Sequence, residues 1–202
     1  MGHLDLTEVF GLIFGAGGVG AVVVKSTFNY LSNSRSEQER RSHIEGLQKI
    51  TRIYDELNQI ISSNTSIQRV MVIRSSNGGK IPKPGCRIFL RVLHETYRTL
   101  WDSVIHSNLW EERQADQHCI EVAREVAMSG KDTLIASELP EESTLKAIYD
   151  ASGTTGARLF LLKLSGEEMI YLSVNYTDMG QEDSMAKAVL ISSVAGLKQI
   201  FK

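Results

Sequence analysis

From Val9 to Val24 the chain reads VFGLIFGAGGVGAVVV, sixteen residues with no charge and no hydrogen-bonding side chain. Such a run must be buried in protein or placed in lipid, so it constrains the fold more than any other segment. A membrane-spanning helix takes about 20 apolar residues and at least about 17, which makes this length marginal. Past Lys25 the chain continues with Phe28, Tyr30 and Leu31, residues that can extend the helix into a membrane interface. No basic segment precedes the run, which argues against a cleaved signal peptide. Asp5 and Glu8 stand before it, and Lys25, Arg35, Arg40 and Arg41 after it. By the positive-inside tendency this asymmetry predicts a single-pass anchor over residues 9–31, with the C-terminal bulk in the cytoplasm. Gly11 with Gly15, and Ala16 with Gly20, stand at small-xxx-small spacing, which lets two membrane helices approach closely. A buried or amphipathic glycine-rich helix is the alternative reading of the same run.

Gly15, Gly17 and Gly20 also satisfy the G-x-G-x-x-G of a dinucleotide-binding turn. That turn needs a strand before it, a helix after it and an acidic residue about 20 positions on at a strand end. Here the later region, Asn33 to Glu45, is polar and helical in pattern, so nucleotide binding is not expected. The whole chain of 202 residues has 22 Lys and Arg against 24 Asp and Glu, a net charge of −2. No global basic field is available to neutralise phosphates, and nucleic acid is not an expected partner. Cys86 and Cys119 are the only cysteines, and the histidines at 3, 43, 94, 106 and 118 form no i, i+4 pair. Neither a disulfide framework nor a metal site follows from that spacing, and reduced thiols fit a cytosolic setting.

Residues 1–31 are thus expected to form an apolar helix, 32–42 a polar linker, and 43–202 one folded domain. In the linker, SNSRSEQERRS, Ser36 followed by Glu39 fits a capping box that opens a helix running to about Ile61. Ile44, Leu47, Ile50, Tyr54, Leu57 and Ile61 step by three or four residues along it, the repeat of a packed helical seam. That seam faces either its own domain or the same helix of a second chain. Ile67 to Arg74 and Cys86 to Leu93 have strand character and are separated by a turn-rich stretch with Pro82 and Pro84. The pattern from Glu95 to Trp110 is ambiguous. Gln114 to Ser129 predicts a helix, Thr133 to Ala136 a short strand, and Glu141 to Ala151 a helix stopped by Gly153. Arg158 to Leu164 and Met169 to Tyr176 predict a hairpin around Ser165-Gly166-Glu167, and a last helix runs from about Gln181. The order predicts an α+β domain, an antiparallel sheet with flanking helices, preceded by one apolar N-terminal helix.

From Glu37 to Phe201 this arrangement resembles a GAF domain, the small-molecule sensor fold related to PAS domains. The residues that carry the resemblance lie in the second half. They are the helix ending in Ser129-Gly130-Lys131-Asp132-Thr133, the strand Leu134-Ile135-Ala136, and the helix Leu145 to Asp150 before Gly153. They continue through Gly156 to Leu162, Gly166, the strand Ile170 to Val174 and the closing amphipathic helix. The Asn-Lys-x-x-x-Phe-x-x-x-Asp-Glu signature of the cyclic-nucleotide-binding members is absent. Bilin-binding members use a cysteine near a histidine, and His118-Cys119 is the one adjacent pair. Its place on an apolar helix face instead predicts a buried core thiol.

No catalytic pattern emerges: there is no Gly-x-Ser-x-Gly elbow, and Glu111-Glu112 and Glu141-Glu142 read as solvated surface. The chain is expected not to be an enzyme. Arg91, Tyr149 and Asn175 are the candidate polar lining of a pocket over the sheet, since each interrupts or edges an apolar element. The resemblance implies a membrane-tethered cytoplasmic sensory or regulatory module that acts as a homodimer through a separate downstream protein. A structural or protein-interaction module with the same fold and no ligand is the competing expectation.

Overall fold

The computed structural model describes residues 19–76, 89–98, 113–129, 132–165, 168–181 and 183–202. The chain divides into two compact units, Met1–Lys49 and Ile50–Lys202. Residues 1–18, with Gly11, Gly15, Ala16 and most of the apolar run, lie outside the described residues, as do Cys86, His106 and Glu111-Glu112. Among the described residues, no helix is long and apolar enough to cross a membrane.

Helix α1 spans Val19–Ser63 without interruption. The stretch read as a linker, residues 32–42, therefore lies inside it, and Ser36 is not a helix cap. Nothing in those residues breaks a helix: there is no proline or glycine, and Glu37 pairs with Arg40 at 2.8 Å and Arg41 at 3.2 Å, one turn on. In the first unit Ile44 and Leu47 are exposed, at 40% and 65%. In the second unit α1 turns a different face to the core, where Ile53, Leu57, Ile60 and Ile61 are buried while Ile50 and Tyr54 stay partly in solvent. The expected seam thus divides, with only Leu57 and Ile61 of its six residues in the core.

In the second unit, strands β1 (Ile67–Ser76), β2 (Phe89–Tyr97), β3 (Arg113–Gln114), β4 (Thr133–Ile135), β5 (Gly156–Leu164) and β6 (Glu168–Tyr176) form one sheet in the order β3-β2-β1-β6-β5-β4. Each adjacent pair is antiparallel. Helices α2 (Gln117–Ser129), α3 (Thr144–Ser152) and α4 (Ser184–Ile200) complete it. The strands alternate as a sheet buried on both sides must. Val70, Val72, Leu172 and Val174 face α1 and α4, whereas Met71, Ile73, Met169 and Tyr171 face α2 and α3. This antiparallel sheet with helices on both faces is the expected α+β arrangement.

Local signals set the element ends. The Ser143 hydroxyl accepts from the backbone N–H groups of Leu145 and Lys146 and caps α3, and Asp183 caps α4 by accepting from Ala186 N–H at 2.7 Å. Gly153 ends α3 in the left-handed conformation, φ 65°, where a glycine carries no steric penalty. Between α1 and α4, a Cβ at Gly196 would fall 2.3 Å from Glu56 Oε1, so only a glycine fits that approach without moving the glutamate. Residues 95–97, left ambiguous by the sequence, belong to β2 and pair with β1. The β1–β2 register shifts between Val72 and Ile73 and leaves Leu93 outside the pairing, so Leu93 packs toward α1 and α4. Just past β2, the Arg98 guanidinium donates to the carbonyls of Ile61, Asn64 and Ile67 and ties the end of α1 to the sheet. A cation at a helix C-terminus also meets the negative end of the helix dipole.

Candidate functional site

On the sheet face under α2 and α3, β6 presents Tyr171, Ser173 and Asn175 at alternate positions, the period of one strand face. Tyr149 comes from the buried side of α3, and Cys119 from the first turns of α2. Tyr149, Tyr171, Ser173 and Cys119 share a cavity of about 20 Å³ whose other walls are apolar. Tyr149 is 2% exposed and Tyr171 8%. Neither hydroxyl bonds to another described residue, and neither is among the fully buried polar atoms left without a partner, so both reach open space in the cavity. Burial pushes both phenols well above their ordinary range, with smaller contributions from Cys119 to both and from Tyr149 to Tyr171. The Cys119 thiol is pushed up to about 12, first by burial and then by the Asp116 carboxylate. It is therefore neither a thiolate nor a nucleophile at neutral pH. All the polar groups of the cavity are uncharged.

A second, larger cleft of about 120 Å³ adjoins it and shares the walls Val122, Leu134 and Leu159. Glu125 and Glu138 stand in its lining. Among the described residues no group of three potential metal ligands is assembled. His94 instead meets the ring of Tyr54 edge-on, with centroids 5.7 Å apart.

Of the residues chosen from sequence, Tyr149 and Asn175 both face this side of the sheet and are buried. Asn175 Oδ1 accepts from the Ser173 hydroxyl at 2.9 Å. The structure does not bring Arg91 to them. Its neighbours Leu90 and Val92 pack into the α2/α3 core, so by alternation Arg91 lies on the opposite face, and it is exposed. Tyr171 and Ser173 were not singled out, although the two-residue period through Tyr171-Leu172-Ser173-Val174-Asn175 places them on one face with Asn175.

One carboxylate holds the two helices that roof the cavity. Asp116 Oδ1 accepts from Cys119 N–H at 2.8 Å, capping α2, while its Oδ2 accepts from Thr144 N–H at 2.7 Å, at the start of α3. Burial alone would raise its pKa, but the backbone donors outweigh it and hold the group below its ordinary 3.8. A group depressed in the folded state stabilises fully above its unfolded pKa and loses that contribution as pH falls through the folded one. Asp116→Ala is expected to lose about 1–3 kcal/mol at neutral pH, two caps being removed at once. The deficit relative to the parent is expected to shrink below pH 3.8, read by chemical denaturation of both proteins across that range. A deficit independent of pH would show that the carboxylate charge has no part in it.

No protein-family model matches the chain. No curated protein matches it. Among solved structures, it is similar to the phycoerythrobilin-bound GAF domain of a cyanobacterial phytochrome, at 12% identity and a TM-score of 0.45. It is also similar to a phycocyanobilin-bound GAF domain of a cyanobacterial phytochrome, at 13% identity and a TM-score of 0.46. Each likeness covers 76% of this chain and 90% of the other.

Proposed function

We propose that the chain is a sensory or regulatory module whose GAF-like domain takes a small molecule in the cavity under α2 and α3 and acts on a separate protein. The observation that carries this reading is the cavity where the polar side chains of Tyr149, Tyr171, Ser173 and Cys119 converge among apolar walls. Apolar walls with a few convergent polar groups are the usual make-up of a small-molecule site. The module is proposed as a binding protein and not an enzyme, since the thiol at the site is held protonated. The proposal includes tethering through residues 9–31 with the domain on the cytoplasmic side, supported by the uncharged run and the cationic residues that follow it.

Native mass spectrometry of the full chain released from detergent is the direct test. A small molecule that leaves on activation is the expected result. The bare chain mass, together with no thermal shift across a panel of small molecules, would overturn the ligand reading. A second reading, a protein-interaction module, is favoured by the exposed Ile44, Leu47 and Ile50 along α1. Under that reading these residues meet the same helix of a second copy.

A further inference from the structure

We propose that the cavity accepts an uncharged, hydroxyl-bearing aromatic ring of about phenol size, a proposal that rests on the ligand reading above. The charge of the ligand follows from the lining. Tyr149, Tyr171, Ser173 and Cys119 offer hydroxyl and thiol groups, and among the described residues no cation lines either the cavity or the adjoining cleft. The nearest buried guanidinium on that sheet face, Arg69, is paired with Glu95 at 2.5 Å. Glu125 and Glu138 stand in the lining of the cleft, so a phosphate or carboxylate entering there meets carboxylates rather than a described cation.

The size follows from the two volumes. The cavity alone, about 20 Å³, holds little more than a water molecule. The cleft offers about 120 Å³, and Val122, Leu134 and Leu159 line both spaces. Rotation of those side chains joins them into a space near the roughly 150 Å³ that holds a benzene ring in an apolar cavity. A ring seated in the cleft with its hydroxyl directed inward reaches the two phenols, each of which can donate to or accept from it. The apolar walls take the ring. Because Val122 lies on α2, and Leu134 and Leu159 on β4 and β5, occupancy must move α2 against that sheet edge, which is how binding becomes visible to a partner.

The test compares phenol, benzene and benzoate on the full chain in one detergent, by thermal unfolding and by methyl shifts of Leu145 and Leu159. Phenol is expected to shift both at low millimolar concentration, benzene more weakly and benzoate not at all. Tyr149→Phe and Tyr171→Phe are each expected to weaken phenol about 2- to 10-fold while leaving benzene unchanged. Both variants are expected to unfold close to the parent temperature, because neither hydroxyl bonds to another described residue and both reach the cavity space. Benzoate binding with no phenol binding would overturn the ligand class and leave the sensory reading in place. Lower stability in both phenylalanine variants, with none of the three probes binding, would overturn both. Equal binding of phenol to parent and variants would overturn the assignment of the hydroxyls.

Discussion

Truncation of Leu57 to alanine is expected to cost about 2–5 kcal/mol, whereas the same change at Leu47 is expected to stay within about 0.5 kcal/mol. The two leucines were expected to share one seam of α1, and their surroundings explain the difference. Leu57 is fully buried among residues of β1, β6 and α4, so its removal leaves a cavity that the sheet cannot close. Leu47 is 65% exposed, and alanine is the better helix former. Urea unfolding followed by circular dichroism measures both. A Leu47 deficit as large as that of Leu57 would mean that something covers the α1 stripe. If the deficit also falls with dilution, the cover is a second copy of the chain, and the interaction reading gains over the ligand reading.

The division of that seam shows where periodicity was informative and where it was not. A stripe repeating every three or four residues identifies a helix, but a repeat near 3.5 drifts around a helix of 3.6 residues per turn. That drift, about 20° per heptad, is too small to bring Ile53 and Ile60 into the stripe, yet the core buries both, and sequence alone cannot say which face of the helix meets the sheet. The strands were more legible, because a period of two admits only two faces. Ile67 to Arg74 and Met169 to Tyr176 appear as β1 and β6 with boundaries close to those expected. The two-residue β3 and the last residues of β2 were missed, since their pairing depends on distant chain and on the guanidinium of Arg98. At the site the same logic applies. Tyr149 and Asn175 were identifiable as polar groups in apolar elements. Alternation set Arg91 apart from Leu90, but not which side of β2 would carry the cavity.

The arginine that the sheet does bury is Arg69, and replacing its partner is expected to have an effect comparable to emptying the core. Arg69 is 3% exposed, donates to Glu95 at 2.5 Å and places its guanidinium carbon 4.9 Å from the centre of the Tyr97 ring. It stands opposite Tyr97 on one side and Asn175 on the other, so its charge adjoins the polar face that carries the cavity. Desolvating two charges offsets most of their attraction, so the intact pair contributes little net stability. Removal of the carboxylate takes away an opposite charge at 2.5 Å from a guanidinium that stays buried. Glu95→Gln is therefore expected to cost about 3 kcal/mol, the low end for a broken buried pair, because Glu95 is itself 30% exposed and water can reach it. The double variant Arg69→Met with Glu95→Gln is expected to lie within about 1 kcal/mol of the parent, since it removes both charges and retains volume. A double-mutant cycle by chemical denaturation separates these terms. If Glu95→Gln alone were neutral, the guanidinium would be compensated without its carboxylate.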